Sequence, residues 1–290
     1  MMISSRRVGW LLALAVLAAC GGQEGEAGLP DSPSDGAATA APFDPSSPNA
    51  PPPSRRPGGS VGTPPEAGCG RDDLCSDFEP GSASPEAAKA ADCAGTGALA
   101  LDTTVAHGGK GSLRIDGKSG YCNHVFWSAG GDALSRFGDV VHVRFFVRFG
   151  SALGQDHVTF LATRDDGSGR NLRMGGQKEV LMWNRESDDA TLPDLSPDGT
   201  AASSKPAAGT WLCVVVTLDR KAGSIVTTLD GASNDALSTG DARFEQQWST
   251  KRGPLTVTDL RLGWESYGNA SATLWFDDLT ISRTPLACSP

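Results

Sequence analysis

The ten residues VVHVRFFVRF (140–149) alternate almost without a break. In an extended chain, Val141, Val143, Phe145, Val147 and Phe149 fall on one side, and His142, Arg144, Phe146 and Arg148 on the other. The second set has the makings of a binding face. The ring offers a flat apolar platform, and the cations and the histidine, which titrates near neutrality, can orient a polar or acidic ligand. Further residues of the same kind follow: His157 in DHVTFLAT, Arg173 and Gln177 in NLRMGGQ, Trp183 in LMWN, and Trp264, Glu265 and Tyr267 in GWESY. Aromatic platforms with a few directed polar groups are what a carbohydrate groove needs. The competing reading is a wetted outer strand face with tryptophans in the core.

Two other chemistries find little support. A glycoside hydrolase needs two carboxylates across the scissile bond. The acidic pairs Asp165-Asp166 and Asp188-Asp189 sit in turn-like stretches, and no Glu-x-Asp-x-x-Glu strand is present. No Gly-x-Ser-x-Gly elbow marks a serine nucleophile. No organic cofactor is expected. A cation is: Glu79 in DFE and Asp277-Asp278 in FDD lie near the two ends of the folded region, and a loop carbonyl near Lys110 in HGGKGS could join them. Hard oxygen donors of this kind suit Ca²⁺ in a structural role. The alternative is that these carboxylates face solvent or bond backbone amides.

These residues need strands to carry them. Short alternating runs recur, among them ALALDTTVA, GSLRIDG, YCNHVFWS, KEVLMWN, LTVTDLRLGW and TLWFDDLTIS. WLCVVVTLDRKAGSIVTTLDG (211–231) is the clearest hairpin, turning at RKAG. Helix is expected only in SPEAAKAAD, with Ser84 as cap and Pro85 at the first position, and for a turn or two in DALSRF and ARFEQQW. About a dozen strands with so little helix predict two packed antiparallel sheets, an all-β jelly-roll sandwich.

The remainder of the chain reads as delivery. Arg6 and Arg7 precede an apolar run too short to span a bilayer of about 30 Å, and the run ends in LAAC, which resembles a bacterial lipobox. Residues 1–20 are therefore expected to be a leader, with Cys20 lipidated and the protein held in the cell envelope at the outer membrane or surface. Residues 21–66 hold 11 of the 19 prolines and read as a disordered tether, leaving 67–290 as one domain. Without Arg6 and Arg7 the formal charge of −9 becomes −11, and no basic block occurs, so nucleic acid is not an expected partner. A monomer touching the membrane only through Cys20 is expected. The other cysteines (69, 75, 93, 122, 213, 288) are even in number and lack zinc-site spacing, which predicts disulfides in an exported chain but leaves their pairing open.

Taken in order, DFEPG, HGGKGSLRI, GYCNHVF, the His-x-Arg strand, NLRMGGQ, WLCV, LRLGWESYG and WFDD resemble the Cip-like core family over about 75–290. The resemblance implies a concanavalin-like jelly roll related to polysaccharide lyases, a polysaccharide partner and a structural calcium ion. It also places the His-x-Arg pair in the cleft. Lyase cleavage of a uronic-acid polymer would then use His142, Arg144, Gln177 and Tyr267. Arg144, Arg173 and Gln177 would stabilise the carboxylate charge, His142 or His157 would take the proton, and Tyr267 would protonate the leaving oxygen. Arg148, His157, Arg173, Trp183, Trp264 and Glu265 would hold the chain. One departure is Val215, where an acidic residue is expected two positions after the cysteine of WLC. The alternatives are a carbohydrate-binding lipoprotein without turnover and a structural surface protein with a vestigial groove.

Overall fold

The computed structural model describes residues 69–82, 85–88 and 95–288; the leader, Cys20 and the stretch 21–66 lie outside the described residues. Two antiparallel sheets face each other. The first runs, in spatial order, β12 (Ala232–Ser233), β11 (Ser224–Leu229), β10 (Trp211–Asp219), β5 (Val140–Phe149), β14 (Ala272–Ser282), β3 (Ser112–Gly117) and β2 (Ala98–Asp102). The short β1 (Leu74–Ser76) pairs with the far end of β14. The second sheet runs β4 (Asn123–Ser128), β13 (Arg261–Ser266), β6 (Val158–Asp165), β7 (Arg170–Gln177), β8 (Val180–Arg185) and β9 (Ala190–Leu192). This is the sandwich that the alternation predicts.

The core lies between the sheets and is built by strand parity. Val141, Val143, Phe145, Val147 and Phe149 of β5 are all buried there, facing Leu161, Leu172, Met174 and Leu181 of the second sheet. Each fully buried Leu, Val or Phe contributes about 1.5–3 kcal/mol, so the interface of the sheets dominates stability. The same parity corrects the expectation for the tryptophans. Trp183 shares a face with Leu181, and Trp264 with Leu262; both rings are core, not groove. Trp183 donates its Nε1–H to Thr227 Oγ1 at 3.0 Å. The Trp264 ring packs so closely on Gly117 that a Cβ there would lie 2.2 Å from it.

The 211–231 hairpin is observed with its turn at 220–223. Helical turns occur as expected in DALSRF (Ser135–Phe137) and at the end of ARFEQQW (Gln246–Ser249), and two unexpected ones are Pro197–Ala202 and Asp235–Leu237. Residues 85–88 are not helical. Ala87 bridges to Trp127, and Ala88 donates to the Phe126 carbonyl at 2.6 Å, so this segment lines the edge of β4. Ser84 lies outside the described residues. Two disulfides join Cys69 to Cys75 and Cys213 to Cys288. Cys122 is also disulfide-bonded, and Cys93 lies outside the described residues.

Candidate functional site

The outward side of β5 is partly covered. His142 is buried beside Thr217, sharing a 2.8 Å hydrogen bond through Nδ1, and burial lowers its pKa. Arg144 donates to Thr280 Oγ1 at 3.1 Å and to the Ala287 carbonyl at 3.3 Å. Phe146 lies under the His107 ring, 3.5 Å centroid to centroid, and packs with Cys213, Val215, Leu286 and Cys288. Arg148 donates to the Gly209 carbonyl at 2.9 Å and sits 5.0 Å over the Trp275 ring. The C-terminal tail, clasped by Cys213–Cys288, lies across this face, so His142, Arg144 and Arg148 belong to the first sheet's outer wall. The expectation that they share one cleft with Gln177 and Tyr267 is corrected.

The outward side of the second sheet carries the other candidates. On β7, Leu172 and Met174 point into the core, which turns Arg173, Gly175 and Gln177 outward. Register then aligns neighbours across strands: Arg173 lies opposite Ala162 and Asn184, Asn184 opposite Thr191, and Glu265 opposite His124 and Thr159. Gly175 sits at a bulge where a Cβ would come within 1.8 Å of the Val158 carbonyl oxygen, so the close approach of β6 requires glycine.

Arg173 is the hub. Its Nη1 donates to Tyr267 Oη and lies 3.5 Å from Glu265 Oε2, while Nη2 lies 3.2 Å from Glu186 Oε1. The guanidinium also sits 5.1 Å from the Tyr267 ring centroid. Tyr267 in turn donates to Glu265 Oε1 at 3.0 Å, and its ring stacks on His157 at 5.1 Å. The backbone fixes this stack, because Tyr267 N–H donates to the His157 carbonyl at 3.1 Å. Sequence brings His157, Arg173, Glu265 and Tyr267 to notice, and the structure brings them together.

Burial sets their protonation. Desolvation raises the Glu265 carboxyl above its ordinary range, against the pull of Arg173 and the Tyr267 hydroxyl. Burial and the Glu265 charge raise Tyr267, so it keeps its O–H. Burial, aided by the Arg173 charge, lowers His157 to about 4, so its imidazole is neutral at pH 7. On the same face, His157 Nε2, Thr159 Oγ1, Arg173 Nε, Asn184 Oδ1 and Thr191 Oγ1 are buried with no protein partner. Leaving such atoms unmet costs about 1–3 kcal/mol each. Five of the nine such atoms among the described residues lie on this one face.

Several of these residues carry no signal in the sequence. Glu186 also accepts from Asn171 N–H at 2.8 Å, and Asp189 accepts from Asn184 Nδ2 at 2.9 Å. The acidic stretch 186–189 reads as a polar turn, and only the register of β7 on β8 shows that it borders Arg173. Cys122, His124 and Glu265 bring ligand atoms within 4.8 Å of one another, but a disulfide sulfur is not a thiolate ligand.

Glu79 and Asp277-Asp278 do converge, on loop 107–110. Asp278 has φ +48°, at the irregularity in the pairing of β14 with β5 between Asp277 and Thr280. Asp277 is fully buried and accepts from His107 N–H at 2.8 Å, Gly108 N–H at 3.2 Å and Asp278 N–H at 2.9 Å. Burial, reinforced by Asp278, raises it to about 7 despite these bonds. Glu79 Oε1 accepts from Lys110 N–H at 2.7 Å, and Asp278 Oδ2 lies 2.7 Å from His107 Nδ1. Gly109 has φ +56°, a conformation that favours glycine and lets the loop close on the Glu79 carboxylate. Asp277 and Glu79 thus bond backbone amides and Asp278 meets His107, and the three carboxylates do not form a group with ligand atoms all within 4.8 Å of one another. A concavity of about 470 Å³, lined in part by Asp77, Glu79, Arg144 and Asp278, opens beside them.

A family model described as polysaccharide-lyase-like, Cip1-like core domain, matches residues 77–284. The solved structure of cellulose induced protein Cip1 aligns at 36% identity with a TM-score of 0.66, covering 74% of this chain and 100% of that one. An endo-beta-1,4-glucuronan lyase from the fungus Trichoderma reesei aligns at 14% identity and TM-score 0.45, covering 72% and 94%. The CBM22-1 xylan-binding domain of Paenibacillus barcinonensis Xyn10C aligns at 16% and 0.37, covering 72% and 92%. No curated protein matches the chain.

Proposed function

Because the chain belongs to the Cip1-like core domain family of polysaccharide-lyase-like proteins, we propose that it cleaves a uronic-acid polysaccharide by β-elimination on the outward face of the second sheet. The observation that carries this reading is the cluster of Arg173, His157, Tyr267 and Glu265 among buried polar atoms that the protein itself does not satisfy.

The roles follow from charge and protonation. Arg173, with Gln177 on the same face, stabilises the negative charge that builds on the substrate carboxylate. Neutral His157 takes the proton from C5, whose electron pair forms the C4–C5 double bond as the C4–O bond breaks. Tyr267 turns its O–H from Glu265 to the leaving oxygen, the tyrosinate then takes a proton from the Glu265 carboxyl, which solvent reprotonates, and His157 returns the C5 proton to solvent. Arg173 is shared between Glu186 and Glu265, so a substrate carboxylate competes best when Glu265 is protonated. Turnover is therefore expected to be bell-shaped in pH. It rises through about 4 as His157 loses its proton and falls on the alkaline side as Glu265 ionises. Rates followed by the ultraviolet absorbance of unsaturated uronate ends from pH 3 to 9 check this. A profile still rising at pH 9 would exclude Glu265 as the proton reservoir.

The engagement of Arg173 by two carboxylates favours a second reading, in which the face binds a polysaccharide without turnover. Co-sedimentation with insoluble polymer and no new absorbance would select it.

The proposal includes a calcium ion held by Glu79, Asp277 and Asp278 with a carbonyl near Lys110, tying the first strand to the last and taking no part in the reaction. Calcium is expected to raise the melting temperature by roughly 5–10 °C over an EDTA-treated sample, with magnesium ineffective. Equal melting temperatures would remove the ion from the account. The leader motif alone supports Cys20 as an acyl anchor in the cell envelope, which the mass of the mature N-terminal peptide checks.

A further inference from the structure

Tyr121 is 84% exposed and is the one exposed large aromatic residue among those described. An aromatic ring left in water gains nothing for the fold, yet the backbone on either side of this one is held in place. Cys122, at φ +58°, is disulfide-bonded, and Gly120 N–H donates to the Gly268 carbonyl at 2.8 Å. Asn123 follows and is pinned by bonds from its side chain to Ser119 and Thr96, both at 2.8 Å. The Tyr121 ring meets Tyr267 edge to face, with centroids 5.5 Å apart and planes at 86°. It therefore stands upright at the border of the Arg173 cluster, beside the residue that protonates the leaving group, with most of its surface in solvent.

We propose that Tyr121 is a sugar-stacking platform, a binding residue for a pyranose ring next to the reacting uronate. This deepens the lyase reading and rests on it. A pyranose presents an apolar C–H face that packs on an aromatic ring, while its hydroxyls remain in water. The flanking backbone is already held by the Gly120 and Asn123 hydrogen bonds, so contact costs mainly the freedom of the Tyr121 side chain itself. The platform favours chains long enough to span both Tyr121 and Arg173 over short fragments. Because Tyr121 touches no reacting atom, its loss acts on substrate capture and not on the chemical step.

The test compares the full-length protein with Tyr121→Ala and Tyr121→Phe on soluble β-1,4-polyglucuronate and polygalacturonate, following unsaturated ends. On whichever polymer is cleaved, Tyr121→Ala is expected to raise KM about fivefold to tenfold with kcat within twofold, and Tyr121→Phe to restore the wild-type KM. The melting temperature is expected to stay unchanged, because the ring packs on little. Wild-type KM in Tyr121→Ala, or a loss of kcat instead, overturns the platform and leaves the lyase reading standing. Absence of cleavage by the wild-type protein on every polymer overturns the reading and the platform together.

Discussion

Arg173→Ala is expected to abolish turnover and to lower the unfolding free energy by about 3–5 kcal/mol. The side chain is 6% exposed and holds Glu186 and Glu265, themselves largely buried, so at a pH where Glu265 is ionised its removal leaves two carboxylates facing each other without a cation. The loss of stability would come from this uncompensated charge more than from a lost contact. Arg173→Lys separates the two effects. The ammonium keeps the charge and much of the stability, but it cannot reach Tyr267, Glu265 and Glu186 with one planar fork. Turnover in Arg173→Lys is expected to fall on the order of 100-fold or more while the protein stays folded. Urea unfolding and the absorbance assay read the two quantities independently. Wild-type stability in Arg173→Ala would mean that the glutamates are neutral in the folded protein.

Opening the Cys213–Cys288 clasp is the second large effect. The bond closes a sequence separation of 75 residues, which in the chain-entropy model stabilises the fold by about 4 kcal/mol. The Cys69–Cys75 bridge, with a separation of 6, is worth about half as much by the same reasoning. Replacing both Cys213 and Cys288 by serine also frees the tail that covers Phe146 and accepts a hydrogen bond from Arg144. Stability is therefore expected to drop by several kcal/mol. Turnover by the remaining folded protein is expected to be unchanged, because the clasp is on the first sheet and the Arg173 cluster is on the second. A variant that stays stable but loses activity would place function on the face of β5.

That contrast shows how far the sequence can be read. Alternation over 140–149 and the 211–231 hairpin are local properties, and both are observed as expected. Alternation also divides each strand into two faces, but it does not say which polar face remains open. His142 and Arg144 look as functional as Arg173 until His142 is seen buried against Thr217 and Arg144 bonded to Thr280 and to the tail at Ala287. Parity could have settled the tryptophans, since Trp183 and Trp264 keep step with Leu181 and Leu262. The β7–β8 turn could not be read this way. Lys178 and Glu179 have φ values of +52° and +69°, in a two-residue turn of the kind usually marked by Asn-Gly or Asp-Gly. Their amides donate to the Gln155 and Gly154 carbonyls, long-range contacts with no trace in the local sequence. The hairpin they close is the one that aligns Arg173 with Asn184 and brings Glu186 to its side. Thr159 and Thr191 join the site through register alone.

The most direct measurement is the absorbance assay on the wild-type protein, Tyr267→Phe and His142→Ala, with calcium present, against β-1,4-polyglucuronate and polygalacturonate. Unsaturated uronate ends are expected from the wild type and from His142→Ala at equal rates, with a rate lower by about 100-fold or more in Tyr267→Phe. Full activity in Tyr267→Phe with loss in His142→Ala, or no absorbance from any polymer, would contradict lyase chemistry at the Arg173 cluster.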